Sequence, residues 1–91
     1  MYVVVTYDIE DDKRRTKMHK MLSGLGDHVQ LSVFECVLDE GKLKRMLEGA
    51  EKLAIGESDS VRIYMLCGHC LSKAIVVGAG PSPEEKDVYI V

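Results

Sequence analysis

The 91-residue sequence has no apolar run of about eighteen residues, so it contains no candidate transmembrane helix. Residues 1–8 are apolar but too few for a signal peptide, and they lack a basic segment and a small-residue cleavage site. The three cysteines are an odd number, which makes a poor disulfide framework. We therefore expect a cytoplasmic protein.

Two common catalytic motifs are also missing. The glycines at 78 and 80 follow a predicted strand but open no helix, so they do not form a phosphate-binding loop. Ser32 lies within a predicted strand with no sharp turn, which argues against a serine nucleophile.

An overall basic charge is absent too, because 12 basic and 15 acidic residues give a net charge of −3. The charges are nevertheless unevenly spread. An acidic cluster formed by Asp8 and residues 10–12 is followed at once by a basic segment at 13–20. A basic face beside carboxylates can bind phosphate and a metal ion together, whatever the net charge.

Apolar periodicity predicts a single α+β domain over residues 1–91. The predicted elements are a strand at 2–9, a helix from 11–12 to 23, a strand at 28–38, a helix at 40–54, strands at 61–67 and 73–77, a Gly/Pro linker at 78–85 and a strand at 87–91. We interpret this order as a ferredoxin-like β-α-β-β-α-β fold with an extra C-terminal strand.

In that fold both helices cover one face of the sheet and leave the other face bare. Neither face of the first strand is cleanly polar, since one carries Tyr2, Val4, Thr6 and Asp8 and the other carries Val3, Val5, Tyr7 and Ile9. A mixed face is usually covered. The cover is either a second subunit or a nucleic acid stacked on aromatic side chains.

Asp8, at the end of the first strand, is the candidate metal ligand. Mg²⁺ accepts one or two protein carboxylates together with water, and two copies of Asp8 meeting across a two-fold axis would make a better site than one. The alternative is that Asp8 only caps the turn into the first helix.

The first helix supplies the candidate phosphate contacts. Lys13, Lys17 and Lys20 share one helical face, which is either a solvated surface or a nucleic-acid contact. Arg14 falls on the apolar face, where it is expected to reach the sheet rim and pair with Asp8 or hold a phosphate.

The motif Cys67-Gly68-His69-Cys70 offers too few ligands for a structural zinc site. A redox motif would open a helix after a strand, whereas this motif is predicted to lie in a hairpin turn. We therefore interpret the pair as packed, metal-free thiols.

Four segments are informative in combination: Tyr7-Asp8-Ile9 after an apolar strand, the charged run at 11–15, Gly26 with the run from Val29 to Glu35, and residues 59–64 with the cysteine pair that follows. Together they resemble the CRISPR-associated Cas2 family. The resemblance covers nearly the whole chain.

The resemblance implies a homodimer in which residues 79–91 form a linker and a strand that crosses to the partner's sheet. It implies a divalent metal, Mg²⁺ or Mn²⁺, held by Asp8 of both subunits, and phosphodiesterase activity on RNA or DNA. The implied nucleic-acid contacts are Arg14, Arg15 and Lys17, and the implied lining of the dimer cleft is Tyr7, Ser32 and Phe34. Many members have an arginine where this chain has His28, which weakens one phosphate contact.

Two functions follow from the resemblance. The chain is expected to act in spacer acquisition with the CRISPR integrase, as a metal-dependent endonuclease with Asp8 as its catalytic residue. The alternative is a non-catalytic, DNA-binding dimeric scaffold for that integrase.

The mixed sheet face and the spare strand at 87–91 predict a homodimer in solution, because a lone edge strand gains more by joining a second sheet. Deleting residues 86–91 should shift the equilibrium toward monomer in sedimentation analysis. A stable full-length monomer at micromolar concentration would contradict the prediction.

Overall fold

The computed structural model describes residues 1–78, which form four strands and three helices. In chain order these are β1 (Tyr2–Asp8), α1 (Asp12–Ser23), β2 (Gly26–Gln30), β3 (Val33–Val37), α2 (Glu40–Leu53), β4 (Ser60–Leu66) and α3 (Gly68–Leu71). The predicted strand at 87–91 and residues 79–85 of the predicted linker lie outside the described residues.

The four strands form one antiparallel sheet in the order β2-β3-β1-β4. The first six elements follow the order β-α-β-β-α-β, so the ferredoxin-like prediction is confirmed. β1 lies in the interior of the sheet, with Val5 opposite Phe34 of β3 and Ile63 of β4.

The predicted single strand at 28–38 is wrong, because the chain reverses at residues 31–32 and forms β2 and β3 instead. The reversal supplies the two consecutive strands that the fold requires between its helices. Its tip, Leu31 and Ser32, contains no Gly, Pro, Asn or Asp, so the usual turn signal is missing. The pairing is also irregular between His28 and Gln30.

The predicted strand at 73–77 is also wrong, and so is the hairpin expected before it. The short helix α3 follows β4, and residues 74–77 have no regular structure. A hairpin would have to return the chain directly along the free edge of β4, but the helical turn α3 begins two residues after β4 ends. Ile75 and Val77 are left 85% and 92% exposed.

The main core lies between the sheet and the first two helices. Val3 and Val5 of β1 pack with Phe34 of β3, Met18 of α1 and Met46 of α2, and all five side chains are at most 1% exposed. Met18 and Leu22 of α1 are buried, and Met21 and Leu25 pack against the core. On α2, Met46 and Ala50 are buried, whereas Leu47 is 36% exposed.

A second, smaller cluster lies on the sheet face that α1 and α2 leave open. Leu71 of α3 packs on Tyr2, and both side chains are 2% exposed. Val4, Val37 and Leu66 pack around them. α3 therefore covers one end of the open face, the end opposite to Asp8.

β2 lies so close to β3 at Gly26 that there is no room for a side chain, and we therefore expect Gly26→Ala to destabilise the fold. A methyl group at Gly26 would lie 2.6 Å from Cys36 Sγ and 2.8 Å from Cys36 Cα, and would also meet the Glu35 carbonyl oxygen. We expect a loss of about 1–3 kcal/mol in the free energy of unfolding, measured by urea denaturation.

Gly24→Ala is the matched control, because its added methyl would meet only backbone oxygens, the nearest 3.5 Å away. It should leave stability unchanged or raise it by about 0.4–1 kcal/mol. Equal effects of the two substitutions would contradict the packing described here.

Candidate functional site

Asp8 ends β1 on the open face, directly opposite Ser60 of β4, and its side chain is exposed. Within residues 1–78 its carboxylate accepts no hydrogen bond and forms no ion pair. The capping alternative is wrong, because Asp11 caps α1 by accepting a hydrogen bond from the Arg14 amide at 2.9 Å. The Asp8 carboxylate is thus available to an external ligand.

Two residues of β4 that the sequence analysis did not single out share the open face with Asp8. Arg62 is paired with Thr6 and so lies diagonally across the two strands from Asp8, while Tyr64 is paired with Val4. Arg62 is exposed and makes no ion pair within residues 1–78, and Tyr64 is 50% exposed. The alternation of side chains along the predicted strand at 61–67, combined with the pairing of β4 to β1, would have placed Arg62 and Tyr64 on the same face as Asp8.

The expected pairing of Arg14 with Asp8 is not made. Arg14 Nη2 instead donates to Asp59 Oδ2 at 3.2 Å, and a second, longer contact of 3.9 Å joins Nη1 to Asp11. Its Nε is buried without a hydrogen-bond partner in the described part of the chain. Arg14 therefore serves an internal ion pair, and a nucleic-acid contact by this residue stays a prediction that the pairing counts against.

Asp59 is the centre of that internal contact, and its side chain is only 1% exposed. Besides Arg14, its carboxylate accepts hydrogen bonds from the backbone amides of Glu10 at 3.0 Å and Gly56 at 2.9 Å. These amide bonds, that to Glu10 first, and the Arg14 guanidinium hold the pKa of Asp59 below its ordinary value, although burial opposes them. Asp59 thus ties the loop after Asp8 to the loop before β4.

Arg15 stabilises the same loop from the other side. Its Nη1 donates to the carbonyl oxygens of Ile9 and Glu10, each at 3.0 Å, and its Nη2 pairs with Asp12. The side chain remains 44% exposed and lines a shallow cleft of about 380 Å³ together with Tyr7. Arg15 therefore positions the loop and still presents charge to solvent.

Lys17 is exposed on α1, where it lines a surface depression with Asp12, Lys13 and Thr16. A contact between Lys17 and nucleic acid stays a prediction, and the exposure of the side chain is compatible with such a contact. Lys13 and Lys20 are exposed as well, so the lysine face of α1 points into solvent.

Of the three residues assigned to a dimer cleft, Tyr7 and Phe34 lie on the helix-covered face of the sheet, opposite to the face that carries Asp8. Phe34 is fully buried under the helices, and Tyr7 is 6% exposed with its ring centroid 6.3 Å from that of Phe34. Burial raises the pKa of Tyr7, and the charge of Arg15 partly offsets the effect. Ser32 is half-buried, and its carbonyl accepts a bond from the Tyr7 amide at 3.1 Å. The cleft assignment stays a prediction, and the position of Phe34 counts against it.

His28 belongs to the same local cluster. Its ring stacks on Phe34 with a centroid separation of 4.9 Å, and its Nε2 lies 3.2 Å from the Leu31 carbonyl oxygen. His19 contacts both rings edge-on. These contacts hold His28 at the outer surface of the core.

The cysteine pair differs from its prediction. Cys67 caps the start of α3 directly after β4, and its sulfur accepts a hydrogen bond from the Cys70 amide at 3.5 Å. Both residues are exposed, whereas Cys36 is buried. The description as packed thiols in a hairpin turn is therefore wrong for Cys67 and Cys70.

Within residues 1–78, no three His, Cys, Asp or Glu side chains gather closely enough to form a metal site. Asp8 contributes one exposed carboxylate with no competing internal partner, and hard cations are commonly held by one or two carboxylates with water. An exposed carboxylate of this kind, together with water, can ligate Mg²⁺ or Mn²⁺. No helix in the described residues is long and apolar enough to cross a membrane.

Comparison with known proteins places the chain among CRISPR-associated proteins. The family described as "CRISPR associated protein Cas2" matches residues 1–74. "CRISPR-associated endoribonuclease Cas2 3" of Synechocystis is 44% identical over 88 residues, which is 97% of this chain and 96% of that protein. "CRISPR-associated endonuclease Cas2 2" of Thermus thermophilus is 42% identical over 96% of this chain and 92% of its own.

Solved structures agree with the sequence comparison. A Thermus thermophilus protein described as hypothetical is 42% identical and superposes with a TM-score of 0.75 over 88% of this chain and 93% of that chain. A chain in a partial Cas6-RT-Cas1–Cas2 complex is 26% identical, with a TM-score of 0.66 over 84% of this chain and 89% of its own.

The contacts of Asp59 predict a pH-dependent stability. Because its folded pKa is depressed, its contribution is full above the unfolded pKa of about 3.9 and is lost as the pH falls toward the folded value. The melting temperature of the wild type should therefore fall more steeply between about pH 6 and pH 3 than that of Asp59→Asn. The variant should also melt at a lower temperature at neutral pH.

Glu57→Gln removes a carboxylate from the same loop, at an exposed residue with no recorded partner in residues 1–78, and serves as the control. It should keep the steep acid profile of the wild type. Parallel profiles for Asp59→Asn and the wild type would show that Asp59 is not a source of the acid sensitivity.

Proposed function

This chain belongs to the CRISPR-associated Cas2 family, and from that premise we propose that it is a subunit of the CRISPR spacer-acquisition complex with metal-dependent phosphodiesterase activity. The observation that supports the activity best is the Asp8 carboxylate, which is exposed at the end of β1 without an internal partner. The two relatives are named an endoribonuclease and an endonuclease, so both RNA and DNA are substrates to test.

The proposal includes a homodimer formed through the open face. Val4, Thr6 and Val33 are only half-buried there, and Tyr64 is 50% exposed, so the face offers apolar surface for a second copy to cover. The apolar residues at 75–77 are exposed as well, and they add to the apolar surface that a second copy can cover. A two-fold contact on this face would bring the two Asp8 carboxylates into one site.

Asp8 of each copy would then hold Mg²⁺ or Mn²⁺ between the subunits. Two carboxylates brought together repel each other, and a cation between them removes that cost. When bound, such a cation supplies Lewis-acid activation of a phosphodiester and of water. The role of Asp8 is therefore to bind and orient the cation at the rim of the sheet.

The remaining groups of the open face suit a nucleic acid. The Arg62 guanidinium offers paired N–H donors to a phosphate oxygen beside Asp8. Lys13 and Lys17 are exposed on α1, on the helix-covered side of the sheet, and offer a separate positive surface to a nucleic-acid backbone.

A second candidate function is the non-catalytic scaffold. It is supported by the structural likeness to a chain in a Cas1–Cas2 complex and by the single carboxylate that each chain contributes to the site. In this role the dimer would bind duplex DNA through its lysine faces and hold the CRISPR integrase. Asp8 would then be a structural ligand, and its loss would spare integration.

We expect Asp8→Asn to lower the cleavage rate of RNA or DNA at least about 100-fold, since even the outer partners of metal ligands are each worth about 10- to 100-fold. Asparagine keeps the shape of the side chain and removes its charge, so the change tests the charge. Cleavage of labelled RNA and DNA in Mg²⁺ or Mn²⁺ measures the effect, with Glu57→Gln as the charge-matched control.

Full activity of Asp8→Asn would exclude Asp8 as the essential ligand, and undiminished activity in excess EDTA would exclude the metal. A wild type that does not cleave but binds duplex DNA with a steep dependence on salt would favour the scaffold. Integration assays with Asp8→Asn then separate the two functions.

A further inference from the structure

The exposed cysteine pair at the start of α3 takes no part in the site around Asp8. Cys67 immediately follows β4, and the Cys70 amide donates a hydrogen bond to its sulfur at 3.5 Å. The one-turn helix thus folds Cys70 back over Cys67. Both residues are exposed, so small molecules can reach either thiol.

The two thiols have different environments. The Cys70 amide donates a hydrogen bond to the Cys67 sulfur, and this bond, together with the neighbouring Cys70 thiol, lowers the pKa of Cys67. The neighbouring Cys67 sulfur raises the pKa of Cys70. Cys67 is therefore the more readily deprotonated of the two thiols.

We propose that Cys67 and Cys70 form a thiol–disulfide exchange site that reacts with small disulfides of the oxidised-glutathione class. The Cys67 thiolate, having given its proton to solvent, attacks one sulfur of the small disulfide and releases the first small thiolate. Cys70, losing its own proton, then attacks the Cys67 sulfur of the mixed disulfide and releases the second. Two protein thiols are oxidised to one disulfide, and one small disulfide is reduced to two thiols.

The location of the pair gives this chemistry a structural consequence. Leu71, the residue after Cys70, packs on Tyr2 and closes one end of the open face. A disulfide between Cys67 and Cys70 would fix the turn that carries Leu71 and leads into the apolar segment at 75–77. The site is independent of Asp8, so its test is independent of nuclease activity.

The experiment uses the reduced full chain, exposed to oxidised glutathione, quenched with a maleimide and read by peptide mass spectrometry. In the wild type, Cys67 and Cys70 should both escape maleimide labelling because they have formed a disulfide, while Cys36 should still be labelled as a free thiol. In Cys70→Ser the mixed disulfide with glutathione should accumulate on Cys67. In Cys67→Ser the reaction at Cys70 should be roughly three- to tenfold slower.

Three results would overturn the proposal. They are two free thiols in the wild type under excess oxidised glutathione, equal rates of mixed-disulfide formation in the two serine variants, and stoichiometric zinc in the untagged protein by elemental analysis. The measurement on the wild type does not depend on the variants. It therefore tests the proposal even if one of the serine variants fails to fold.

Discussion

The alternation of side chains along β1 determines which surface of the sheet each functional residue occupies. Val3, Val5 and Tyr7 lie beneath the helices, so Asp8, one residue further, must lie on the open face. β1 is bonded to β3 on one edge and to β4 on the other, which fixes its register twice. If β1 shifted its register by one residue, the Asp8 carboxylate would be buried and the core side chains would be exposed. The free-energy cost of that shift keeps Asp8 at the surface.

The loop that follows Asp8 is held by charged groups that do not themselves face the open side. Asp59 accepts from the Glu10 amide and pairs with Arg14, while Arg15 donates to the carbonyls of Ile9 and Glu10. These bonds position the end of β1 against the start of β4. They also engage Arg14 and Arg15, two of the three cations that the resemblance assigns to nucleic acid, and leave Lys17 without an ion pair in residues 1–78.

The sequence was sufficient for the fold class and for the place of Asp8, since the β-branched and aromatic residues at 2–9 predict β1 and Asp8 lies near its end. It was insufficient where a local signal was weak or a partner was distant. The turn at Leu31 and Ser32 carries none of Gly, Pro, Asn and Asp, and the strand expected at 73–77 has the right composition but pairs with no strand within the described residues. The pairing of Arg14 with Asp59 joins residues 45 positions apart, which periodicity cannot reveal.

The central claim is that two copies of Asp8 share one divalent cation. Titration of Mn²⁺ into the full chain, followed by electron paramagnetic resonance of the free ion, measures this directly. The account predicts one tightly bound Mn²⁺ for every two chains, lost in Asp8→Asn while Glu57→Gln binds as the wild type does. One Mn²⁺ for every chain, or undiminished binding by Asp8→Asn, would contradict it.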